Sequence, residues 1–150
     1  MRSVGYRLLF VFVCLRFAMG AVMGVEAVAS RIQGGPFTVE QAARGGQLYE
    51  QACEGCHGPD LAGGKVVPGI AGQAFANVWT GRSLADLFER LELSMPPDDP
   101  TSVSPDEMVD ILAHILRVNG WAAGEDVLPA DRKVLETLVF RMGGSAPSSR

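Results

Sequence analysis

Five consecutive residues, Cys53-Glu54-Gly55-Cys56-His57, hold the clearest chemistry in the chain. A C-x-x-C-H run is the attachment signature of a c-type haem. The two thiols reach the two vinyl groups of one macrocycle, and the two intervening residues span the gap. The adjacent imidazole then falls over the iron and ligates it. Other readings of the cysteines are weaker. A thioredoxin-like redox pair calls for a surrounding βαβ pattern, and the sequence offers none. A zinc site needs more ligands, but there is no second cysteine pair and the only other histidine is His114. A disulfide between residues three apart closes too small a loop to stabilise much.

A c-type haem iron usually takes a sixth ligand, and Met95 is the candidate. It lies in Ser94-Met95-Pro96-Pro97, a loop stiffened by prolines that can hold a thioether in place. It stands 38 residues beyond His57, far enough for the chain to return to the opposite haem face. Met108 falls on an apolar helix face and reads as core. Met142 is near the chain end and poorly tethered. His114 is one residue off the apolar stripe of its helix and reads as packed or solvated.

Helices must position these groups, and no segment reads as a convincing strand. Thr38 with Gln41 forms a capping box that opens a helix from Val39 to about Ala52. Gly45-Gly46 in its middle costs about 1 kcal/mol per glycine against alanine, which points to a close helix crossing. Ser83 with Asp86 opens a second helix carrying Leu84, Leu87, Phe88 and Leu91 on one face. Ser104, Pro105 and Glu107 cap a third, with Met108, Ile111, Leu112, Ile115 and Leu116 inside and Gly120 at its end. A weaker fourth helix follows Pro129 through Val134, Leu135 and Leu138. Residues 53–82 hold nine glycines or prolines and read as a long loop that needs something to wrap around.

Apolar residues make up 47% of the 150 and charged residues 20%, a globular composition. The net charge of −4 argues against nucleic-acid binding, which needs a basic patch. Residues 1–29 read as an export signal: Arg2 and Arg7, an apolar stretch from Leu8 to Val25, then Ala27-Val28-Ala29 as a cleavage site. Arg16 interrupts the apolar stretch, and an uncleaved membrane anchor is the alternative reading. Cys14 lies within it, preceded by Val13 rather than a small residue, so lipidation is not expected. Removal would take three Arg and one Glu, leaving 10 basic and 16 acidic residues, a net −6. Residues 30–142 then form one domain in the bacterial periplasm or an equivalent oxidising space, and residues 143–150 a flexible tail.

With these pieces placed, the chain resembles the class I (mitochondrial-type) cytochrome c family, in the style of small bacterial c-type cytochromes associated with quinoprotein dehydrogenases. The matching segments are Gly45-Gly46-Gln47-Leu48-Tyr49, Cys53 to Gly58, Leu61 to Gly64, Pro68 to Gly72, Met95-Pro96-Pro97 and the helix 105–119. The resemblance implies an all-α fold, three to five helices wrapped around one covalently bound haem c. It implies cofactor contacts from Cys53, Cys56, His57, Met95, Pro68 and Trp79, with His57 and Met95 on the metal. Pro68 would offer its carbonyl to the His57 ring, and Trp79 would donate its indole N–H to a haem propionate. Arg82 is a weaker candidate for neutralising a propionate. Gly45 or Gly46 and Tyr49 would form the crossing of the first and last helices. Val66, Ile70, Phe75, Leu84, Leu87, Phe88 and Leu91 would bury the macrocycle.

The implied function is one-electron transport without substrate chemistry. The donor would be a periplasmic dehydrogenase, and the acceptor an oxidase or another cytochrome. Membrane contact is expected only if the N-terminal segment stays uncleaved. With both axial positions filled, no open site remains for catalysis. Two other readings stand beside the carrier: a dedicated subunit of a dehydrogenase complex, docked through the segment after Gly120, and a haem protein whose labile Met95 admits small ligands.

Overall fold

In the computed structural model, residues 34–144 are described. The expected export signal, Cys14 and the last six residues of the expected tail lie outside them. Within the described residues the structure is helical, and the only β-type pairing is an isolated antiparallel bridge between Ser83 and Val139. No helix among them is long and apolar enough to cross a membrane.

The three long helices start where their caps stand. Helix α1 spans Val39–Ala52, and the Thr38 hydroxyl accepts the Gln41 N–H at 3.1 Å. After α1, one turn of helix, α2, covers Glu54–His57, and α3 covers Gly72–Trp79. Helix α4 spans Leu84–Ser94 and α5 spans Pro105–Val118. Both open on a complete capping box, Ser83 with Asp86 and Ser104 with Glu107. Each box satisfies backbone N–H groups that the first helical turn otherwise leaves unpaired. A short 3₁₀ turn, Pro100–Ser102, links α4 to α5, and α6 covers Arg132–Glu136.

Helices α1 and α5 form the central crossing. The two adjacent glycines divide the work there. A Cβ on Gly45 would overlap the Asp110 carbonyl of α5, so only glycine allows the backbones to approach. Gly46 instead faces the His114 ring, whose Nδ1 would stand 3.1 Å from an added Cβ. A forked ion pair from Arg44 to Asp110 borders the crossing, at 2.9 and 3.1 Å.

Residues 53–82 are not one long loop. Helix α3 was masked in the sequence because it has no side-chain cap: its N-cap is Ala71. Its first residue, Gly72 (φ +79°), donates its N–H to the side chain of Asn119, 47 residues away. The apolar spacing Phe75, Ala76, Trp79 then turns one face of the helix inward.

The chain after Gly120 is part of the core rather than an appendage. Trp121, Leu128, Leu135, Leu138 and Phe140 are all buried. Leu84 N–H donates to Leu138 O, Phe140 N–H to Arg82 O, and Gly81 N–H to Phe140 O, so the segment is laced to the start of α4. It also reaches α1, where the buried Gln41 amide donates to Leu128 O at 2.9 Å and accepts from Leu128 N–H at 2.8 Å. Phe37 O accepts the Gly124 N–H at 2.7 Å and closes the other end.

Candidate cofactor site

A cavity of about 610 Å³ lies among α2, α3, α4, α5 and the loops beside them. That volume is within the ~300–1,000 Å³ of sites that enclose a small molecule or cofactor. Cys53, Cys56 and His57 line it together with Pro68, Trp79 and Met95. All six residues singled out in the sequence therefore share one wall system, though they are spread over 43 positions from 53 to 95. Ile70, Phe75, Leu87 and Leu91 contribute apolar surface, as do Ile111 and Ile115 from α5.

The short helix α2 carries His57 into this wall. His57 is buried, and its Nδ1 lies 3.0 Å from the Pro68 carbonyl oxygen. A carbonyl can only accept, so Nδ1 holds the ring proton and the Nε2 lone pair is free for a metal. Tyr49 steadies the turn after the motif by donating its hydroxyl to Gly58 O at 2.6 Å. Burial, with smaller contributions from Cys53, Glu54 and Asp60, pushes the Tyr49 hydroxyl up to about 12, so it stays a donor. Burial likewise pushes the Cys53 thiol up to about 11, with Cys56 adding to it. A dithiol redox centre works through a lowered thiol pKa, so the direction runs against the thioredoxin-like alternative. Among the described residues no group of three or more His, Cys, Asp or Glu side chains is placed to hold a metal ion, which runs against zinc.

Two of the three rivals to Met95 stand outside the cavity wall. Met142 is exposed and away from the cavity. His114 packs on Tyr49, ring centroids 5.5 Å apart, and takes no part in the cavity wall. Burial, with Arg117 beside it, lowers its basicity, so it is held neutral. Met108 does line the cavity, from the fully packed face of α5. Met95 is only partly buried and closes α4 as its C-cap, its N–H donating to Leu91 O at 2.9 Å.

Three expectations need correction. Val66 does not bury a macrocycle: it is 93% exposed, at the tip of the loop between Gly63 and Gly69. Leu84 and Phe88 are buried but stand outside the cavity wall, on a helix that also packs against the C-terminal segment. Arg82 does not line the cavity. Its guanidinium sits over the Trp79 ring, 4.6 Å from the centroid, in a neighbouring groove. The cationic side chain in the wall is Arg90, which the sequence reading passed over. Its position three residues after Leu87 and one before Leu91 was the available signal, since both neighbours were already assigned inward.

The family model described as cytochrome C oxidase, cbb3-type, subunit III, matches residues 40–115. The chain belongs to the c-type cytochrome family. The match ends within α5, so the buried segment after Gly120 lies beyond it. No curated protein and no solved structure matches the chain.

Cytochromes of this family hold haem c covalently, and the residues present suit that group. The cavity is walled mainly by apolar side chains, as a macrocycle requires. The one histidine in the wall has its Nδ1 occupied and its Nε2 uncommitted.

Proposed function

We propose that this cytochrome is a monohaem, single-electron carrier in a periplasmic respiratory or dehydrogenase-linked chain. The observation that carries the reading is His57, fixed by Pro68 O in the wall of a cavity that also takes in Cys53, Cys56 and Met95. Haem c, when bound, supplies a ferric–ferrous couple that accepts and releases one electron. Cys53 and Cys56 would anchor it through two thioethers, and His57 and Met95 would hold its iron. A thioether ligand raises the potential relative to a second histidine. Phe75, Leu87, Leu91, Ile111 and Ile115 keep water from the site, which disfavours the additional positive charge of the oxidised state.

Trp79 and Arg90 are the hydrogen-bond donors of the wall on that side, one offering an indole N–H and the other a guanidinium to the propionates, while Asp98 is the one carboxylate in the wall. Cys56 is exposed, and the edge beside it would be the route by which electrons enter and leave. The net charge of −6 expected for an exported chain suits docking to a partner with a basic or mainly apolar face. Trp121, Leu128, Leu135, Leu138 and Phe140 of the C-terminal segment pack into the chain itself, while Val127, Val134 and Met142 of the same segment are exposed.

The test is expression with the c-haem maturation machinery, followed by haem staining after denaturing electrophoresis. The intact chain should retain haem at its own mass, and Cys53→Ala with Cys56→Ala should lose it. Staining of the double variant equal to that of the parent would overturn the assignment.

A further inference from the structure

Two fully buried side-chain amides tie distant parts of the chain together. Gln41 joins α1 to Leu128, remote from the cavity wall. Asn119, just past α5 and 1% exposed, joins α5 to the loop that carries Pro68. Its Oδ1 accepts the Gly72 N–H at 3.1 Å. Its Nδ2 donates to Ile70 O at 3.1 Å and to Ile115 O at 2.8 Å. Both amide hydrogens and the carbonyl oxygen are thus engaged. Its backbone is fixed as well, by Asn119 N–H to Ile115 O and by Gly143 N–H to Asn119 O, each at 3.0 Å.

Residues 70 and 72 are the C-terminal anchor of the stretch whose Pro68 carbonyl meets His57. That stretch is tied on its N-terminal side by Gly64 N–H to Val67 O and Ile70 N–H to Leu61 O, each at 2.8 Å. Pro68 itself has no N–H to add, so Asn119 supplies the side-chain tie on its C-terminal side. We infer that Asn119 is a positioning residue for His57. By pinning Ile70 and Gly72 it holds Pro68 O on Nδ1–H, and thereby sets how strongly the ring donates to the iron. The inference rests on the proposed role of His57 as an axial ligand.

The direction follows from the bond. A carbonyl drawing on Nδ1–H raises the basicity of the ring, and a more basic ring favours the oxidised iron. Loosening the loop should therefore favour the reduced state. In Asn119→Ala the ferrous-to-ferric ratio at a fixed ambient potential should rise about threefold to tenfold, tenfold being 59 mV for one electron. The ring N–H resonance of His57 in the reduced, diamagnetic protein should move upfield. Gln41→Leu removes a comparable pair of buried hydrogen bonds, so it should lower the melting temperature while leaving the potential and that resonance in place. Asn119→Ser, which keeps one hydroxyl donor, should fall between Asn119→Ala and the parent.

Haem-loaded full-length protein is used throughout. An unchanged potential and resonance in the Asn119 variants, with low-spin His ligation intact in the parent, would overturn this inference alone. Equal shifts in Gln41→Leu would overturn it too, since general loosening would then suffice. Failure of both Asn119 variants to load haem while Gln41→Leu loads would make Asn119 a folding element only, against the inference. A parent spectrum without a His-ligated haem would instead remove the underlying role of His57, and this inference with it.

Discussion

Residues 53–72 and residues 121–140 are each twenty residues long and both flank helices around the cavity, yet they hold their shape by different means. The first has two buried residues, His57 and Leu61. It relies on backbone bonds: Gly63 N–H to His57 O, Gly64 N–H to Val67 O and Ile70 N–H to Leu61 O, each at 2.8 Å. Two close glycine approaches assist, since a Cβ at Gly63 or Gly69 would stand 2.5 or 2.6 Å from backbone atoms across the loop. The second buries five large apolar side chains and pairs with α1 and the start of α4. One region is shaped to receive a group, and the other packs on the protein itself. Net hydrogen-bond stabilisation is about 1 kcal/mol each, whereas burying a large apolar side chain contributes about 1.5–3 kcal/mol. The first region should therefore depend on its cofactor and the second should not.

The largest expected effect breaks this contrast if it fails. In Cys56→Ala, without correct haem attachment, amide exchange across residues 53–72 should approach that of an unstructured chain. The Leu84 and Phe140 amides, bonded within the C-terminal lacing, should stay the more protected. Loss of helicity by circular dichroism should accompany the change, because the cavity wall loses its filling. Equal loss of protection in both regions would erase the distinction.

The converse substitution is Phe140→Ala. Phe140 is fully buried and meets Phe75 edge-on, centroids 5.4 Å apart. Its removal should cost about 3–5 kcal/mol in denaturant unfolding. The axial-ligand absorption of the loaded protein should remain, since Phe140 is not in the cavity wall. A changed ligand band would show that the C-terminal segment shapes the site directly.

The two arginines near Trp79 offer the smallest and sharpest comparison. Arg90 lines the cavity and Arg82 lies outside it on the Trp79 ring. Arg90→Gln should lower the midpoint potential, because loss of a nearby cation favours the oxidised state. The effect should be roughly 1 kcal/mol or less, the Coulomb energy of charges ~10 Å apart behind partial solvent screening. Arg82→Gln should leave the potential in place and cost about 0.5–1 kcal/mol of stability, the scale of an exposed cation–π contact. Potentiometric titration of both variants checks the pair, and the opposite ranking would return Arg82 to the propionate.

What could be read in the sequence was what is encoded locally. The capping boxes at Ser83 and Ser104 and the cap at Thr38 lie within three residues of the helices they start. The C-x-x-C-H run and the Met-Pro-Pro loop are contiguous. What escaped depends on partners far along the chain. Helix α3 is opened by Asn119, so no nearby residue announced it. The choice between Gly45 and Gly46 needed the position of Asp110 on α5. Val66 looked like a lining residue because it is apolar within the motif-rich stretch, but the tight Gly63–Gly69 turn throws it outward. Arg82 precedes α4 and folds back on the Trp79 ring, whereas the phase of α4 turns Arg90 to the cavity, and neither placement shows in the local sequence. The burial of the segment after Gly120 follows from contacts to α1 and α4 that no local pattern displays.

The central claim is that His57 and Met95 form the axial pair. Absorption spectra of the oxidised and reduced protein, taken beside those of Met95→Ala, test it most directly. The account predicts a low-spin c-type spectrum whose far-red sulfur–iron band is present in the parent and absent in the variant, with Met108→Leu retaining it. A high-spin parent, or a band that survives Met95→Ala and vanishes in Met108→Leu, would contradict the assignment.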